Sequence, residues 1–182
     1  MRTKKLLMKT ISEKYVIFDT NIIIKAYENT DAFLSLIIFL RECKCDSVNF
    51  DLIEFEFIRN AYTPKHIKLR EEFFNKISIA KLPFGSSLIK DAVCISRIYF
   101  HQGIQKGQIS LVDCCIAAYL KKYSENLFLI TMNHKDFPII LFDRLYIFPL
   151  DGGNEVYSPA FYQFNSQKWE KLNSAFSKVS SN

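Results

Sequence analysis

An α/β fold built on a mainly parallel, twisted sheet follows from three observations on this chain of 182 residues. Short apolar runs alternate with longer segments of helical spacing, Gly, Pro and Asx residues separate them, and the two strongest runs each end in polar side chains. Strands alternating with helices imply a sheet covered on both faces, a three-layer α/β/α arrangement. The length suits one domain with its own core. Hydrophobic residues make up 49% and include 17 Phe and 9 Tyr, which excludes a largely disordered chain.

Taken in order, residues 1–14 carry Arg2, Lys4, Lys5, Lys9 and Lys14 and read as a basic leader, flexible or briefly helical. Tyr15-Val16-Ile17-Phe18 is a buried strand that delivers Asp19-Thr20-Asn21 to its carboxyl end. Ile22 to Tyr27 continues as helix or turn, and Asn29-Thr30-Asp31 caps an apolar helix from Ala32 to Cys43. A short strand, Asp46 to Phe50, leads into a helix from Asp51 to Ala61 that stops before Pro64. A helix from His66 to Ile77 and a strand at Ile79–Leu82 follow, the strand ended by Pro83. Gly85-Ser86-Ser87 opens a helix reaching His101, and Gly103 and Gly107 punctuate the next loop. Ser110 starts a helix from Leu111 to Tyr123, Leu127 to Thr131 is the second strong strand, and Leu145 to Phe148 is the last, stopped by Pro149. In the tail, Tyr157, Phe161, Tyr162, Phe164, Trp169 and Phe176 are spaced as a helix packed back on the domain. The resulting division is a leader (1–14), a domain (15–150) and an aromatic extension (151–182).

Composition removes several function classes. No apolar run approaches the ~20 residues of a membrane span, and Leu6-Leu7-Met8 is too short for the apolar region of a signal peptide. Five cysteines, among them Cys43-x-Cys45 and Cys114-Cys115, lack zinc-knuckle or redox spacing and fit reduced thiols, so a cytoplasmic location is expected. His66, His101 and His134 are scattered, and read as solvated or core residues rather than a metal site. A net charge of +5 favours a polyanionic partner without identifying one.

The informative residues are carboxylates. In open α/β sheets ligands bind outside the carboxyl ends of strands, which makes Asp19 a site candidate, although Asp-Thr-Asn also suits a plain helix cap. Asp113 shares a helix face with Ile116, Ala117 and Leu120, yet Ser110 with Asp113 is equally a capping box. Asp136 follows the 127–131 strand, and Glu54 or Glu56 lies in the 51–61 helix. Four acids in one cleft repel and raise one another's pKa unless a cation neutralises them. Mg²⁺ or Mn²⁺ is the simplest resolution, because hard oxygen ligands suit both, and such a centre suits phosphodiester hydrolysis. Thr20, Asn21, Thr131 and Asn133 would then orient waters and carboxylates.

In order, Phe18-Asp19-Thr20-Asn21 after a strand, Glu56-Phe57-Ile58-Arg59, Asp113 leading Ile116-Ala117-Ala118, and Thr131-x-Asn133-x-x-Asp136-Phe137 resemble a PIN domain from Tyr15 to about Leu150. That family comprises metal-dependent ribonucleases of PIN-like fold and includes the VapC toxins. The resemblance implies a Mg²⁺- or Mn²⁺-dependent endoribonuclease acting on single-stranded or loop RNA, plausibly the toxin of a type II toxin–antitoxin pair. It makes Asp19, Glu56, Asp113 and Asp136 the catalytic, metal-holding acids, with Thr20, Asn21, Thr131, Asn133 and Arg59 in support. Glu56 fits better than Glu54 because it precedes Phe-Ile-Arg; helical phase alone does not decide between them. RNA, a cognate antitoxin and a second copy in a homodimer are the partners implied. A non-catalytic PIN-like binding module in an RNA-processing assembly is the alternative. A haloacid-dehalogenase-type phosphatase is disfavoured, since Asn21 stands where its motif needs a second Asp and Ile23 where it needs Thr. Lys65 to Arg70, Lys121-Lys122 and Lys135 are candidate phosphate contacts, and Trp169 with Tyr162 a candidate base-stacking pair.

Overall fold

The apolar runs of the sequence become strands of one mixed sheet. A computed structural model describes residues 3–103 and 109–179, so Arg2 and Gly107 lie outside the described residues. In chain order the elements are α1 (Lys4–Ile11), β1 (Tyr15–Phe18), α2 (Thr20–Glu28), α3 (Thr30–Glu42), β2 (Asp46–Asn49), α4 (Asp51–Ile58), α5 (Pro64–Ile77), β3 (Ala80–Lys81) and α6 (Ser86–His101). They continue with α7 (Leu111–Lys122), β4 (Leu127–Thr131), β5 (Phe142–Ile147), β6 (Leu150–Asp151), β7 (Val156–Tyr157), β8 (Ala160–Phe164) and α8 (Ser166–Val179).

The main sheet has the order β3-β2-β1-β4-β8-β5. β3, β2, β1 and β4 run parallel, and β8 pairs antiparallel with both β4 and β5. The fold is therefore α/β with a mostly parallel, mixed central sheet. β6 and β7 form a separate hairpin, which rests on α3 through Phe33 and Tyr157. Among the helices, α2 contacts α3, α4 and α5, α4 contacts α5, and α6 contacts both α7 and α8. Among the described residues no helix is long and apolar enough to cross a membrane.

Winding direction is what positions a site. The chain moves outward from β1 through β2 to β3, then crosses back to lay β4 on the other side of β1. Two parallel neighbours whose connections leave in opposite directions open a crevice beyond their carboxyl ends. Asp19 follows the last residue of β1, and Thr131 is the last residue of β4. Paired registers from Tyr15–Leu127 to Phe18–Ile130, closed by the Asp19 N–H donating to the Ile130 carbonyl at 3.0 Å, bring those two ends level.

The leader takes the helical of its two expected forms, whereas the tail differs from expectation. The basic leader is a docked helix: Thr3 accepts from the Leu6 N–H at its start, Leu7 and Ile11 are fully buried, and the Lys4 ammonium lies 5.1 Å from the Phe39 and Phe148 rings. The aromatic tail is not helix alone. Ala160, Phe161, Tyr162 and Phe164 form β8, inserted between β4 and β5 and buried on both faces. Doubly buried strands have no alternating pattern, so this run resembled a helix face. The last strand of the predicted domain also begins earlier, at Phe142, with an irregularity between Arg144 and Tyr146.

Candidate active site

Asp19 occupies the N-cap position of α2, with extended backbone, but its side chain makes no capping bond. Its Oδ2 instead accepts from Thr131 Oγ1 at 2.5 Å and from Asn21 Nδ2 at 2.6 Å. Asn21 Nδ2 also reaches Thr131 Oγ1 at 3.1 Å, and Asn21 Oδ1 accepts the Met132 N–H at 3.1 Å. Thr131 further accepts the Asn133 N–H at 2.8 Å. The plain-cap reading of Asp19 thus gives way to a network that ties the first turn of α2 to the end of β4. Asp19 is only 5% exposed, and burial pushes its pKa from 3.8 to about 7, with the charge of Asp113 adding to the rise and hydrogen bonds from Thr131, Thr20 and Asn21 opposing it.

The other three acids each have their own holder. Thr20 Oγ1 donates to Glu56 Oε2 at 2.7 Å, drawing α4 to the start of α2. Glu54 turns the other way and pairs with Lys81, which also meets Asp51 at 3.3 Å. Geometry therefore separates the two glutamates, which helical phase had left open. Ser110 Oγ accepts the Asp113 N–H at 3.0 Å and donates to Asp113 Oδ2 at 2.5 Å, so the capping box forms. Asn133 Nδ2 donates to Asp136 Oδ2.

Capping does not remove Asp113 from the cleft. Burial raises its pKa first, and the Glu56 charge raises it further, against the hydrogen bonds from Ser110. Asp136, 7% exposed, is pushed to about 6 by burial and by Asp113, with Lys135 acting in the opposite sense. Asp113 therefore interacts electrostatically with Asp19, Glu56 and Asp136 alike, and is the hub of the cluster.

Among the described residues, no three His, Cys, Asp or Glu side chains converge as a ready-made metal cage. The donor chemistry of the four acids nonetheless suits a divalent cation. All four acids offer hard oxygens, three have pKa values raised by burial and by one another, and Mg²⁺ needs only one or two direct carboxylates when waters fill its remaining positions.

Several expected contacts lie elsewhere. Arg59 is exposed at the C-cap of α4 and makes no ion pair with the four acids. Arg70 donates to the Phe57 carbonyl and covers the Tyr27 and Phe57 rings at 5.7 and 5.2 Å, and so supports the fold. Lys121 pairs with Asp91 at 2.6 Å and sits over Trp169. Trp169 and Tyr162 are buried, Trp169 against Phe164 and Tyr162 with its hydroxyl 3.0 Å from His134 Nδ1, so neither presents a stacking face. Large rings are the cheapest way to fill a core. His66 and His101 are exposed and remote in sequence from His134.

Sequence reasoning missed two residues. Tyr99, fully buried in α6, donates its hydroxyl to the Asp136 carbonyl at 3.1 Å. It lies in an apolar helical stripe and reads as core. Asn49 ends β2 beside β1, fully buried, and with its amide oxygen and nitrogen exchanged its NH₂ donates to the Phe18 carbonyl at 3.3 Å and the Val48 carbonyl at 3.1 Å. Its signal was weak, because β2 is Asp-Ser-Val-Asn, with one apolar residue, and lacks the unbroken apolar run that precedes Asp19 and Thr131. Set against protein-family models, characterised proteins and solved structures, the chain matches none.

Proposed function

We propose that this protein is a PIN-type, three-layer α/β/α endoribonuclease dependent on Mg²⁺ or Mn²⁺. The observation that supports it most is the coupling of Asp19, Glu56 and Asp136 through Asp113 beside the winding reversal of the sheet. Buried like charges oppose folding, and a retained cluster calls for a cation. Asp19, Glu56, Asp113 and Asp136 would hold the ion. When bound, it supplies an activated water and stabilises charge on a phosphodiester. The chain itself fixes each carboxyl in one orientation: Asn21 and Thr131 hold Asp19, Thr20 holds Glu56, Ser110 holds Asp113 and Asn133 holds Asp136. Five free cysteines accord with a cytoplasmic location.

Purified protein is expected to cleave single-stranded RNA on addition of Mn²⁺, and Asp19→Asn or Asp113→Asn to abolish cleavage. Cleavage by both variants at the wild-type rate would falsify the reading. Growth arrest on induced expression, relieved by Asp19→Asn and by a co-expressed neighbouring protein, is the expected behaviour of a toxin with its antitoxin. A second reading, a non-catalytic PIN-like module, is favoured by one observation: each acid already has an internal hydrogen-bond partner. Calorimetric titration decides between them, since the nuclease binds Mn²⁺ in a manner lost with Asp19→Asn.

A further inference from the structure

The outward face of α4 carries a feature that the acid cluster does not use. Phe55, next to Glu56, is 61% exposed, and Tyr62 in the following connection is 91% exposed. Among the described residues most phenylalanines are buried or half-buried; Phe84 and Phe100 are the other exposed ones, and Phe55 alone adjoins an acid of the cluster, Glu56, with Tyr62 six residues further along the chain. Arg59 lies between them in sequence. Its N–H donates to the Phe55 carbonyl at 2.9 Å, which stacks the two residues one turn apart, and it lies three positions after Glu56 on the neighbouring line of the helix. Several other cations are engaged within the molecule: Lys25 with Glu28, Lys81 with Glu54, Lys121 with Asp91 and Lys168 with Asp143. Among the described residues Arg59 is exposed and in no such pair, and Lys65, His66 and Lys68 at the start of α5 add exposed nitrogen donors past Tyr62.

A cleft of four acids repels phosphate, so a polyanionic strand needs cations at its rim to approach. Open aromatic faces stack unpaired bases whatever their identity, and an arginine between them suits the intervening phosphate. We propose that Phe55, Arg59 and Tyr62 form a subsite for one or two unpaired nucleotides of an RNA strand, adjoining the cleavage cleft on its α4 side. The proposal rests on the endoribonuclease reading for the strand's destination. It adds that single-strandedness is selected here, because a paired base offers no free face to stack.

The test is binding of a labelled single-stranded RNA oligonucleotide to the full chain in chelator, where no cleavage occurs, across a range of salt. Phe55→Ala is expected to weaken binding about 5- to 150-fold, the span of one lost base stack, while Phe55→Trp retains it. Arg59→Ala is expected to flatten the plot of log affinity against log salt by about 0.7, one phosphate contact on a single strand. An oligonucleotide with abasic positions should bind wild type and Phe55→Ala alike. Leu34→Ala, on the exposed face of α3, serves as a control that binds as wild type. Wild-type affinity in both Phe55→Ala and Arg59→Ala, or an equal loss for duplex RNA, overturns the subsite. The two readings fail separately: binding that depends on these residues without cleavage on adding Mn²⁺ sinks the nuclease and keeps the subsite, and Mn²⁺-dependent cleavage with unchanged binding and KM in the variants does the reverse.

Discussion

Replacing Asp19 by Asn should make the protein more stable at neutral pH, by an amount that the structure sets. Folding buries the Asp19 carboxyl and raises its pKa from 3.8 to about 7. A carboxyl with a raised folded-state pKa holds its proton more tightly in the native state than in the unfolded chain. Its contribution is therefore fully present below the unfolded value and is lost as pH rises through the folded one. Stability attributable to this group falls between about pH 4 and about pH 7 and stays low above that. At 1.36 kcal/mol per pH unit the span amounts to about 4 kcal/mol. Asparagine keeps the shape and carries no charge. Its carbonyl oxygen can accept from Thr131 and Asn21, but its NH₂ meets the Thr20 N–H that now donates to the carboxylate, an opposition worth about 1 kcal/mol. The expected net gain is about 3 kcal/mol above pH 7, or about 6–12 °C in Tm for a chain of this size.

The assay is thermal unfolding of wild type and Asp19→Asn in chelator, followed by circular dichroism from about pH 4.5 to about pH 8. At the acid end the two should be level or the variant slightly weaker, and the variant should lead by the full margin at the alkaline end. Mn²⁺ should stabilise the wild type by about 2.7 kcal/mol at a hundredfold excess over Kd, raising its Tm, and leave the variant unmoved. A Tm difference of zero, or one that does not change with pH, would refute the claim that Asp19 is an ionisable group strained by burial among acids.

Three further outcomes follow from the same geometry. Glu56→Gln should weaken Mn²⁺ binding in calorimetry, whereas Glu54→Gln, which breaks only the Lys81 pair, should leave it unchanged. Tyr99→Phe removes the hydrogen bond to the Asp136 carbonyl and should cost about 1–3 kcal/mol in urea unfolding by leaving that group unpaired; because it positions Asp136, it should also lower Mn²⁺ affinity. Phe161→Ala, in the middle of β8, should cost about 3–5 kcal/mol, as expected of a core strand and not of an appended tail.

Much of the fold was legible in local sequence. β1, β2 and β4, and the helices α3 to α7, have their places written in apolar spacing, in caps such as Asn29 and Ser110, and in Pro64 and Pro83, signals that act within a turn or two of the chain, although α5 starts at Pro64 behind a Thr63 cap, two residues before the expected His66. The polar residues closing β1 and β4 were equally legible, because Asp19 and Thr131 each follow an unbroken apolar run. Tertiary structure decided what depends on distance between segments. β8 takes its place between β4 and β5 because its two backbone edges pair with them, and a mostly apolar run of five residues carries no mark of that neighbourhood. Glu54 and Glu56 lie two residues apart on one helix, and only the positions of Lys81 and Thr20 send them to different partners. Asp113 reads as a helix cap from its own neighbours and is one; its second role exists because the winding of the sheet brings Asp19, Glu56 and Asp136 within reach of its charge. Capping is satisfied by atoms three residues away, whereas a carboxylate cluster is a property of four distant segments and appears only when the chain has folded.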